Sequence, residues 1–275
     1  MTVGHHAAVL GTRASFLSDK AGLWLEWADN NFMTSDYWPH RYAQSSSAAS
    51  DAEAWSYVMP VAGTLKEFYM EMELPHGTTN SSTLTVRKNA VDTAQALTFT
   101  IGEANQTIVQ DVAFNAGDII TVTHVRTVAA GGAGGGIQQG YVQWEATGEP
   151  NLVAFHFGSA DFGNTTAARY HAPTVTGSSI SAVGEAETQS PWKTRLTGIR
   201  VKTTNGNVTA DVVCTVMVDG VATAIACTIT SGQSTGSMTG ASVAIARGAR
   251  VTVRTVAASA VAATLHPRFT VWGGD

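Results

Sequence analysis

Charged residues are scarce in this chain. Lys, Arg, Asp and Glu together make up 13% of its 275 residues, whereas an average soluble protein has roughly 25%. The formal net charge is −5, with no block of like charges along the sequence. Because nucleic acid binding depends on clustered Lys and Arg that neutralise phosphates, we expect no nucleic acid partner. So little charge is typical of a surface covered by hydroxyl groups, amides and neighbouring subunits.

Long apolar segments are missing as well. No apolar stretch approaches the roughly 20 residues that a transmembrane helix requires. The first residues, MTVGHHAAVLGTRASFL, lack the basic segment and the sustained apolar segment of a secretory signal. We therefore expect no membrane partner and no export by that route.

Cysteine occurs only twice, at Cys214 and Cys227, on either side of an Asp219-Gly220 pair. A two-residue turn at that pair would place Cys214 opposite Ile225, with Cys227 diagonal to it. Diagonal neighbours lie about 7 Å apart at Cα, which is too far for a relaxed disulfide. We expect two buried free thiols, with a cross-strand disulfide after a change of register as the alternative. Without a companion His or Cys at ligand spacing, the two thiols predict no metal site.

Sequence motifs of known catalytic sites are missing too. The chain has no GxSxG nucleophile elbow, no phosphate-binding GxxxxGK[ST] loop, no HExxH and no pair of CxxC motifs. Its carboxylates are scattered, and a glycosidase would need two of them facing each other across a cleft, which the sequence leaves open. We expect no enzymatic activity, no cofactor and no metal ion.

The histidines do not form a repeated site. His40 and His171 flank two Arg-Tyr pairs on opposite sides, so a shared catalytic or metal-binding role is not expected. Such histidines are expected at the surface or at interfaces instead. His156 lies between two phenylalanines and should point away from the core, toward a loop or a partner. His124 is expected at the edge of the core.

The chain contains an internal repeat, with one copy over residues 23–144 and the other over residues 153–272. The two copies share a pattern of apolar residues, turns and a terminal tryptophan. Both copies close on an aromatic-x-x-Trp segment, YVQW at 141–144 and FTVW at 269–272. They open on matching apolar positions, which are Leu23, Leu25, Trp27 and Phe32 in the first copy and Val153, Phe155, Phe157 and Phe162 in the second. Phe32 and its match Phe162 are 162 − 32 = 130 residues apart. A repeat of this length is typical of two similar domains in tandem.

Strand-like alternation fills both copies. Apolar and polar residues alternate on both sides of Asp219-Gly220 and of Asn89-Ala90, which is the pattern of hairpins built from half-buried strands. Relative to the second copy, the first copy is predicted to contain two extra residues around Ala94–Ala96. Because an insertion of two residues preserves the alternation, its apolar residues stay on one face. Helical periodicity is nearly absent. Further strands are predicted at 108–114 and 119–125, and at 242–246 and 250–256.

These patterns predict an all-β protein of two tandem antiparallel β-sandwich (jelly-roll-like) domains that arose by internal duplication. Long apolar segments at both ends of each copy, with hairpins between them, favour a jelly roll over an immunoglobulin topology. We predict an N-terminal arm at 1–18, a first domain at 19–146 and a second domain at 147–275.

Aromatic side chains are concentrated near the start of the first copy. The cluster consists of Trp24, Trp27, Tyr37, Trp38 and Tyr42, whereas the matching positions of the second copy hold Ala154, Phe157, Ala167, Ala168 and Tyr170. One interpretation is a larger core or a packed arm. The other is a partner-binding face, because aromatic side chains dominate interface hot spots and also stack on sugars.

Three segments of the first copy are YVMPVAGTLKEFYMEM, STLTVRKNAVDTAQALTFTI and VAFNAGDIITV, and the second copy repeats them more loosely as KTRLTGIRV, VMVDGVATA and ARGARVTV. These segments resemble a β-sandwich module of structural proteins from tailed bacteriophages. Two departures occur: Asn89-Ala90 stands where the module has Asn-Gly, and Gly248-Ala249 where the first copy has Gly117-Asp118. The resemblance covers most of both copies, through turn and strand motifs.

The resemblance implies a virion structural protein without catalytic duty, assembled in the host cytoplasm. Foremost in that class is a capsid decoration or cement protein, bound to the major capsid protein or to other virion subunits. Its arm at 1–17 would add a strand to a partner's sheet. By analogy with other jelly rolls, the chain is also expected to form a homo-oligomer, with a trimer as the example.

The alternative is a head-fibre or tail module that binds host surface carbohydrate through the first-copy aromatic residues. A fibre usually carries a coiled-coil heptad or a Gly-X-Y stalk, and neither occurs in this sequence. A bacterial carbohydrate-binding surface protein is a third hypothesis, which the missing export signal disfavours.

Overall fold

The computed structural model of the protein describes most of the repeated region. The described residues are 23–29, 35–37, 56–72, 81–100, 102–127, 138–149, 151–158, 162, 166–171, 187–190, 193–204, 206–261 and 265–274. Within these ranges all regular structure is β-strand, and no helix occurs. The predicted arm at 1–18 lies outside the described residues.

The described residues of the first sandwich form nine strands. They are β1 (Leu23–Asp29), β2 (Ser35–Tyr37), β3 (Tyr57–Val58), β4 (Gly63–Met72), β5 (Ser81–Lys88), β6 (Val91–Phe99), β7 (Asn105–Phe114), β8 (Ile119–Thr127) and β9 (Gln138–Ala146). One sheet has the order β1-β9-β4-β7 and is called the β9 sheet here; the other has the order β2-β8-β5-β6, with β3 also paired to β8. All pairings are antiparallel.

The second sandwich repeats this arrangement, with ten strands in its described part. They are β10 (Val153–Gly158), β11 (Arg169–His171), β12 (Thr188–Gln189), β13 (Thr194–Thr203), β14 (Val212–Val218), β15 (Val221–Ile229), β16 (Thr235–Met238), β17 (Val243–Ile245), β18 (Arg250–Ala257) and β19 (Pro267–Gly273). One sheet has the order β10-β19-β13-β16, with β17 beside β13, and is called the β19 sheet. The other has the order β11-β18-β14-β15, with β12 beside β18.

Both sandwiches have the strand order of a jelly roll. Without the short strands β3 and β12, and with β16 and β17 counted as one strand, each half has eight strands in the orders 1-8-3-6 and 2-7-4-5. This is the double-sheet, two-Greek-key arrangement of the jelly roll. The prediction of an all-β, jelly-roll-like fold is therefore confirmed. The boundaries at 19–146 and 147–275, and the origin by duplication, stay predictions.

Alternating apolar side chains fill the space between the two sheets of each sandwich. In β5 the buried positions are Ser82, Leu84 and Val86, and the residues between them are half-buried. This alternation is what a strand with one face on a core requires. Major members of the first core are Leu25, Leu65, Phe68, Phe99, Val122, Val142 and Trp144; those of the second are Phe157, Leu196, Ile199, Val216, Ile229, Val253, Phe269 and Val271.

Matching two-residue turns join β5 to β6 and β14 to β15. The dihedral φ is 49° at Asp219 and 77° at Gly220, and it is 51° at Asn89 and 64° at Ala90. Positive φ at both central residues is the requirement of the hairpin turn that such dipeptides predict. The side chain of each first turn residue holds the neighbouring strand: Asn89 Oδ1 accepts a hydrogen bond from Ile119 N (2.9 Å), and Asp219 Oδ1 accepts one from Arg250 N (2.9 Å).

The predicted register of the β14–β15 hairpin is wrong beyond its first residues. Val218 faces Val221 as expected, but the register then shifts, and Cys214 faces Cys227 instead of Ile225. The physical cause is a bulge in β15. There Thr223 Oγ1 donates a hydrogen bond to Val216 O (2.8 Å) and accepts one from Ile225 N (3.1 Å).

The β5–β6 hairpin contains the same irregularity. Thr93 Oγ1 donates to Val86 O (2.7 Å) and accepts from Gln95 N (3.2 Å). The two extra residues that the sequence suggested for the first copy alone therefore occur in both copies. Because the shift is two residues, the same side chains stay on the core face.

Replacing Ala90 by glycine is expected to raise the free energy of unfolding by about 1 kcal/mol. An L-residue with a Cβ atom loses roughly 1–2 kcal/mol in the left-handed region, and Ala90 has φ 64°. Urea denaturation of the variant measures the change. The matched control is Gly220→Ala, where φ is 77° and no atom lies within 4 Å of the added Cβ; it should lower stability by a similar amount. A destabilising Ala90→Gly would contradict the left-handed turn.

Candidate functional site

The predicted aromatic cluster is divided between the two sheets of the first sandwich. Trp24 and Trp27 lie on β1, where they pair in register with Gln143 and Gly140 of β9. Tyr37 lies on β2, in the opposite sheet, beside Thr123. Trp38 and Tyr42 lie outside the described residues. A shared binding face of all five residues therefore stays a prediction.

The two sandwiches meet through the outer face of the β19 sheet, which is the face turned away from its own core. Residues of β10, β19 and β13 form adjacent rows on this face, since His156 pairs with Thr270 and Thr270 with Arg200. They contact β3 and the β7–β8 turn at 115–118, which together with Met59 are called the β3 end. No sequence signal predicts this contact.

Polar groups fix the position of the contact. Thr270 Oγ1 donates a hydrogen bond to Val58 O at 2.5 Å, and His156 Nδ1 lies 2.9 Å from the same Thr270 oxygen. A hydroxyl has one proton to donate, so the His156 Nδ1 atom must carry a proton and donate to Thr270. The His156 ring also meets the ring of Tyr57 edge-on, with centroids 4.6 Å apart. His156 thus points away from its own core, as predicted, and onto the other sandwich.

Two basic side chains of β13 reach the turn at the β3 end. Lys202 Nζ donates to Gly117 O at 3.3 Å. Arg200 Nη1 lies 3.3 Å from the position that a Cβ atom on Gly117 would occupy, and burial lowers the pKa of Arg200. The basic side chains therefore face a turn that ends in Asp118.

Trp272 supplies the apolar part of the contact. Its side chain is 5% exposed and belongs to the core cluster of the first sandwich, together with Leu152 from the segment between the sandwiches. Gly198 leaves room for the indole ring, because a Cβ atom there would lie 2.4 Å from Trp272 Cζ2 and 2.7 Å from Met238 O. The terminal tryptophan of the second copy thus stabilises the contact between sandwiches.

The sequence match between the two terminal tryptophans is wrong by one residue. Trp144 of β9 faces Leu65 of β4. The equivalent of Leu65 in β13 is Leu196, and the residue of β19 that faces Leu196 is Gly273. Trp272 therefore corresponds to Gln143. A shift of one residue moves a side chain to the other face of a sheet, which is why Trp144 lies in its own core and Trp272 lies outside the core of its own sandwich.

The expectation of a surface or interface position is wrong for His171. Its side chain is 0% exposed, with Nε2 2.8 Å from Thr255 Oγ1 and the ring centroid 4.6 Å from that of Phe269. His124, expected at the core edge, is 1% exposed, and its Nε2 lies 2.8 Å from Ser82 Oγ. In each of the two buried rings, the Nε2 atom has a hydroxyl partner.

The two cysteines are buried and free. They face each other across the hairpin, as Leu84 and Leu97 do in the first sandwich. The neighbouring Cys227 thiol and burial raise the pKa of Cys214 well above its usual value. Because the thiolate is the reactive and metal-binding form, this pair behaves as core side chains.

Aromatic and acidic side chains lie on the outer face of the β9 sheet. Tyr141 Oη donates to Glu67 Oε1 at 2.8 Å, and its ring stacks on Tyr69 with centroids 5.3 Å apart. Burial first, and then Glu67, raise the pKa of Tyr141. Beside them, Lys66 Nζ lies 2.8 Å from a carboxylate oxygen of Asp111. This face is polar and ordered by its own hydrogen bonds.

Among the described residues, no group of three or more His, Cys, Asp and Glu side chains is arranged to hold a metal ion. The described part of the chain also has no helix of the length and hydropathy needed to span a bilayer.

Comparison with known proteins gives distant likenesses only. No protein-family model matches the chain, and no curated protein matches its sequence. The chain is similar to a structure of Broad Bean Stain Virus at 8% identity, over 92% of this chain and 88% of that chain, with a TM-score of 0.28. The major capsid protein P2 of bacteriophage PM2 is similar at 9% identity, over 92% of this chain and 97% of that chain, with a TM-score of 0.27.

A third likeness is to the tandem CBM22 domains of Xyn10C from Paenibacillus barcinonensis, at 12% identity over 92% of this chain and 94% of that chain, with a TM-score of 0.23. Likenesses of this size carry no argument about the fold or the function of this chain. The jelly-roll assignment rests on the strand order alone.

Proposed function

We propose that this chain is a non-enzymatic structural protein of a virion, and within that class a capsid decoration or cement protein. The observation that carries the proposal is the jelly-roll strand order in both halves, because jelly rolls recur in viral capsid domains and in lectins. A fold alone does not fix a function. The resemblance of the turn motifs to phage structural modules supplies the second line of support.

The residues behind that resemblance act in turns. Asn89 Nδ2 donates to Asp118 Oδ1 at 2.7 Å, which ties the β5–β6 turn to the β7–β8 turn. Asp219 and Arg250 join the corresponding turns of the second sandwich. Two modules that share this turn chemistry, with a sheet face of one packed against the β3 end of the other, fit a role in assembly.

The proposed partners are the major capsid protein or other virion subunits, met in the host cytoplasm. Buried free thiols agree with assembly in a reducing compartment. Added contact area between subunits would stabilise the particle by mass action, since binding to the assembled state shifts the equilibrium toward it.

Sedimentation with two kinds of target tests this function. The purified chain is incubated with capsids that lack it and, in parallel, with host surface polysaccharide, and each mixture is sedimented. We expect stoichiometric sedimentation with capsids and none with polysaccharide. Sedimentation with polysaccharide alone, lost on Trp24→Ala or Trp38→Ala, would replace the cement function by receptor recognition.

Removal of residues 1–17 is expected to abolish attachment to the particle while both sandwiches stay folded. The reason is that an extended arm can add a strand to a partner's sheet edge. Particle occupancy is measured by sedimentation, and folding by far-UV circular dichroism. Normal occupancy of the shortened chain would contradict the arm as the attachment element.

A further inference from the structure

The strand positions and the turn that form the contact between the sandwiches have counterparts on the other sandwich. We propose that the outer face of the β9 sheet binds the β12 end of another copy of this chain. The β12 end consists of β12, Ser190 and the β17–β18 turn at 246–249. This head-to-tail contact repeats between chains the packing that joins the two sandwiches within one chain, and it holds whatever particle the chain binds.

The register makes the two sheet faces equivalent. Leu65 and Leu196 occupy the same place beside β9 and β19, and a register irregularity follows each of them. Counted from these residues, Glu67, Tyr69 and Glu71 of β4 match Gly198, Arg200 and Lys202 of β13. On the last strand, Tyr141 matches Thr270 and Gln143 matches Trp272.

The two ends are equivalent in their hydrogen bonds. At the β3 end, Met59 N donates to Asp118 O (2.9 Å) and Gly117 N donates to Met59 O (2.8 Å). At the β12 end, Ser190 N donates to Ala249 O (2.8 Å) and Gly248 N donates to Ser190 O (2.7 Å). The turn glycines have almost the same φ, 86° at Gly117 and 85° at Gly248. The backbone surface that receives the β19 sheet is thus present a second time.

Exposure differs between the two ends. Tyr57 and Val58 at the β3 end are 2% and 1% exposed, since the β19 sheet lies against them. At the β12 end, the matching strand residue Gln189 and the turn residues Arg247 and Gly248 are exposed. Among the described residues of one chain, a sheet face lies against the β3 end and none lies against the β12 end.

The charged residues at matched positions differ between the two sandwiches. Within the chain, basic Lys202 and Arg200 meet a turn that ends in Asp118. On the β9 sheet the Lys202 position holds the exposed Glu71, and at the β12 end the Ala116 position holds the exposed Arg247. At these matched positions an acidic residue on the face and a basic residue at the end replace the basic residues of the face that meet the 115–118 turn within the chain. Such complementarity selects partner and register.

The contact uses different surfaces on the two copies, so it is heterologous. Repetition of a heterologous contact gives a closed ring if the rotation closes and a filament if it does not. In a ring or a filament, the β9 sheet face and the β12 end of one chain are each covered by another copy.

Charge reversal on either surface tests the contact. Self-association of the purified full chain is measured by sedimentation equilibrium for the wild type, Glu71→Arg, Arg247→Glu and the double variant. Each single reversal is expected to weaken association about tenfold or more, and the double variant should restore it. The control for altered net charge is Glu149→Arg, an exposed residue between the sandwiches, which should associate as the wild type does. Circular dichroism confirms folding of each variant.

Mixing the two single variants gives a sharper result. The Glu71→Arg chain retains Arg247 and the Arg247→Glu chain retains Glu71, so the wild-type contact can form between them, and their two reversed surfaces complement each other as in the double variant. We expect the mixture to associate as the wild type does, although each variant alone associates about tenfold or more weakly. A monomeric wild type at its highest workable concentration would overturn the proposal, and so would association that neither reversal alters or that mixing does not restore.

Discussion

Trp144→Ala is expected to lower the free energy of unfolding by about 3–5 kcal/mol, the usual cost of truncating a buried large aromatic side chain. The Trp144 side chain is 1% exposed, and its ring meets that of Phe114 edge-on at 5.5 Å between centroids. Removing it leaves a cavity between the two sheets of the first sandwich. Urea denaturation followed by far-UV circular dichroism measures the loss, and a cost under about 1 kcal/mol would contradict a core position.

The matched variant is Trp272→Ala, in which the effect should appear between the sandwiches. The core of the second sandwich keeps Phe269 and Val271, so this sandwich should remain folded. Limited proteolysis is expected to cut the segment at 147–152 faster than in the wild type, because the contact between the sandwiches loses its main apolar side chain. An unfolded second sandwich with unchanged protease resistance at that segment would place Trp272 in its own core instead.

Gly273→Ala is expected to cost about 3 kcal/mol or more, at the upper end of overpacking effects. A Cβ atom at this position would lie 1.7 Å from the carbonyl oxygen of Arg195. That oxygen also accepts a hydrogen bond from Gly274 N at 3.0 Å. Because the clash is with backbone, β13 and β19 must separate to relieve it. Soluble yield and the urea midpoint are the measurements.

Gly240→Ala is the control for the Gly273 variant. Gly240 has φ +79° and no atom within 4 Å of an added Cβ, so the substitution costs only the left-handed strain of roughly 1–2 kcal/mol. Equal losses in the two variants would mean that β13 and β19 are not held at the register described.

Local chemistry made the fold class predictable. Asp219-Gly220 and Asn89-Ala90 adopt the turn conformation that their residue types favour, and alternation of apolar residues places one face of each strand on a core. The predicted strands on either side of Gly117 and Gly248 are confirmed, although β7 begins earlier, at Asn105, and each two adjacent strands lie in opposite sheets. The all-β class follows from these local signals.

Register was not predictable from the same signals. The shift in both hairpins depends on a threonine hydroxyl, Thr93 or Thr223, that binds a carbonyl group across the hairpin. Many strand threonines make no such bond, so the residue type alone does not reveal it. Since the shift is even, the apolar pattern looks the same with or without it. The facing of Cys214 and Cys227 was missed for this reason.

The terminal tryptophans show how an exchange of volume can mislead a comparison of two copies. In β9 the core-facing positions hold Gly140 and Trp144, and the equivalent positions of β19 hold Phe269 and Gly273. Large and small residues have exchanged places along the strand while the space is still filled. Matching Trp to Trp aligned a core residue with a contact residue.

The contact between the sandwiches depends on tertiary placement. Alternation placed His156 on the outward face correctly, but no sequence signal identified Tyr57 or Val58 as its surroundings. The candidate aromatic face around Trp24 and Trp38 is likewise a matter of tertiary placement, and it stays a prediction.

The most direct test of the virion assignment is the amount of this chain in purified particles. Particles assembled from the genome that encodes the chain are purified on a density gradient, and the chain is quantified per particle by mass spectrometry. A virion structural protein is expected at a fixed copy number set by the symmetry of the particle, and that number should persist through repeated gradients. A chain that stays in the cell extract and is lost from the particles on purification would contradict the account.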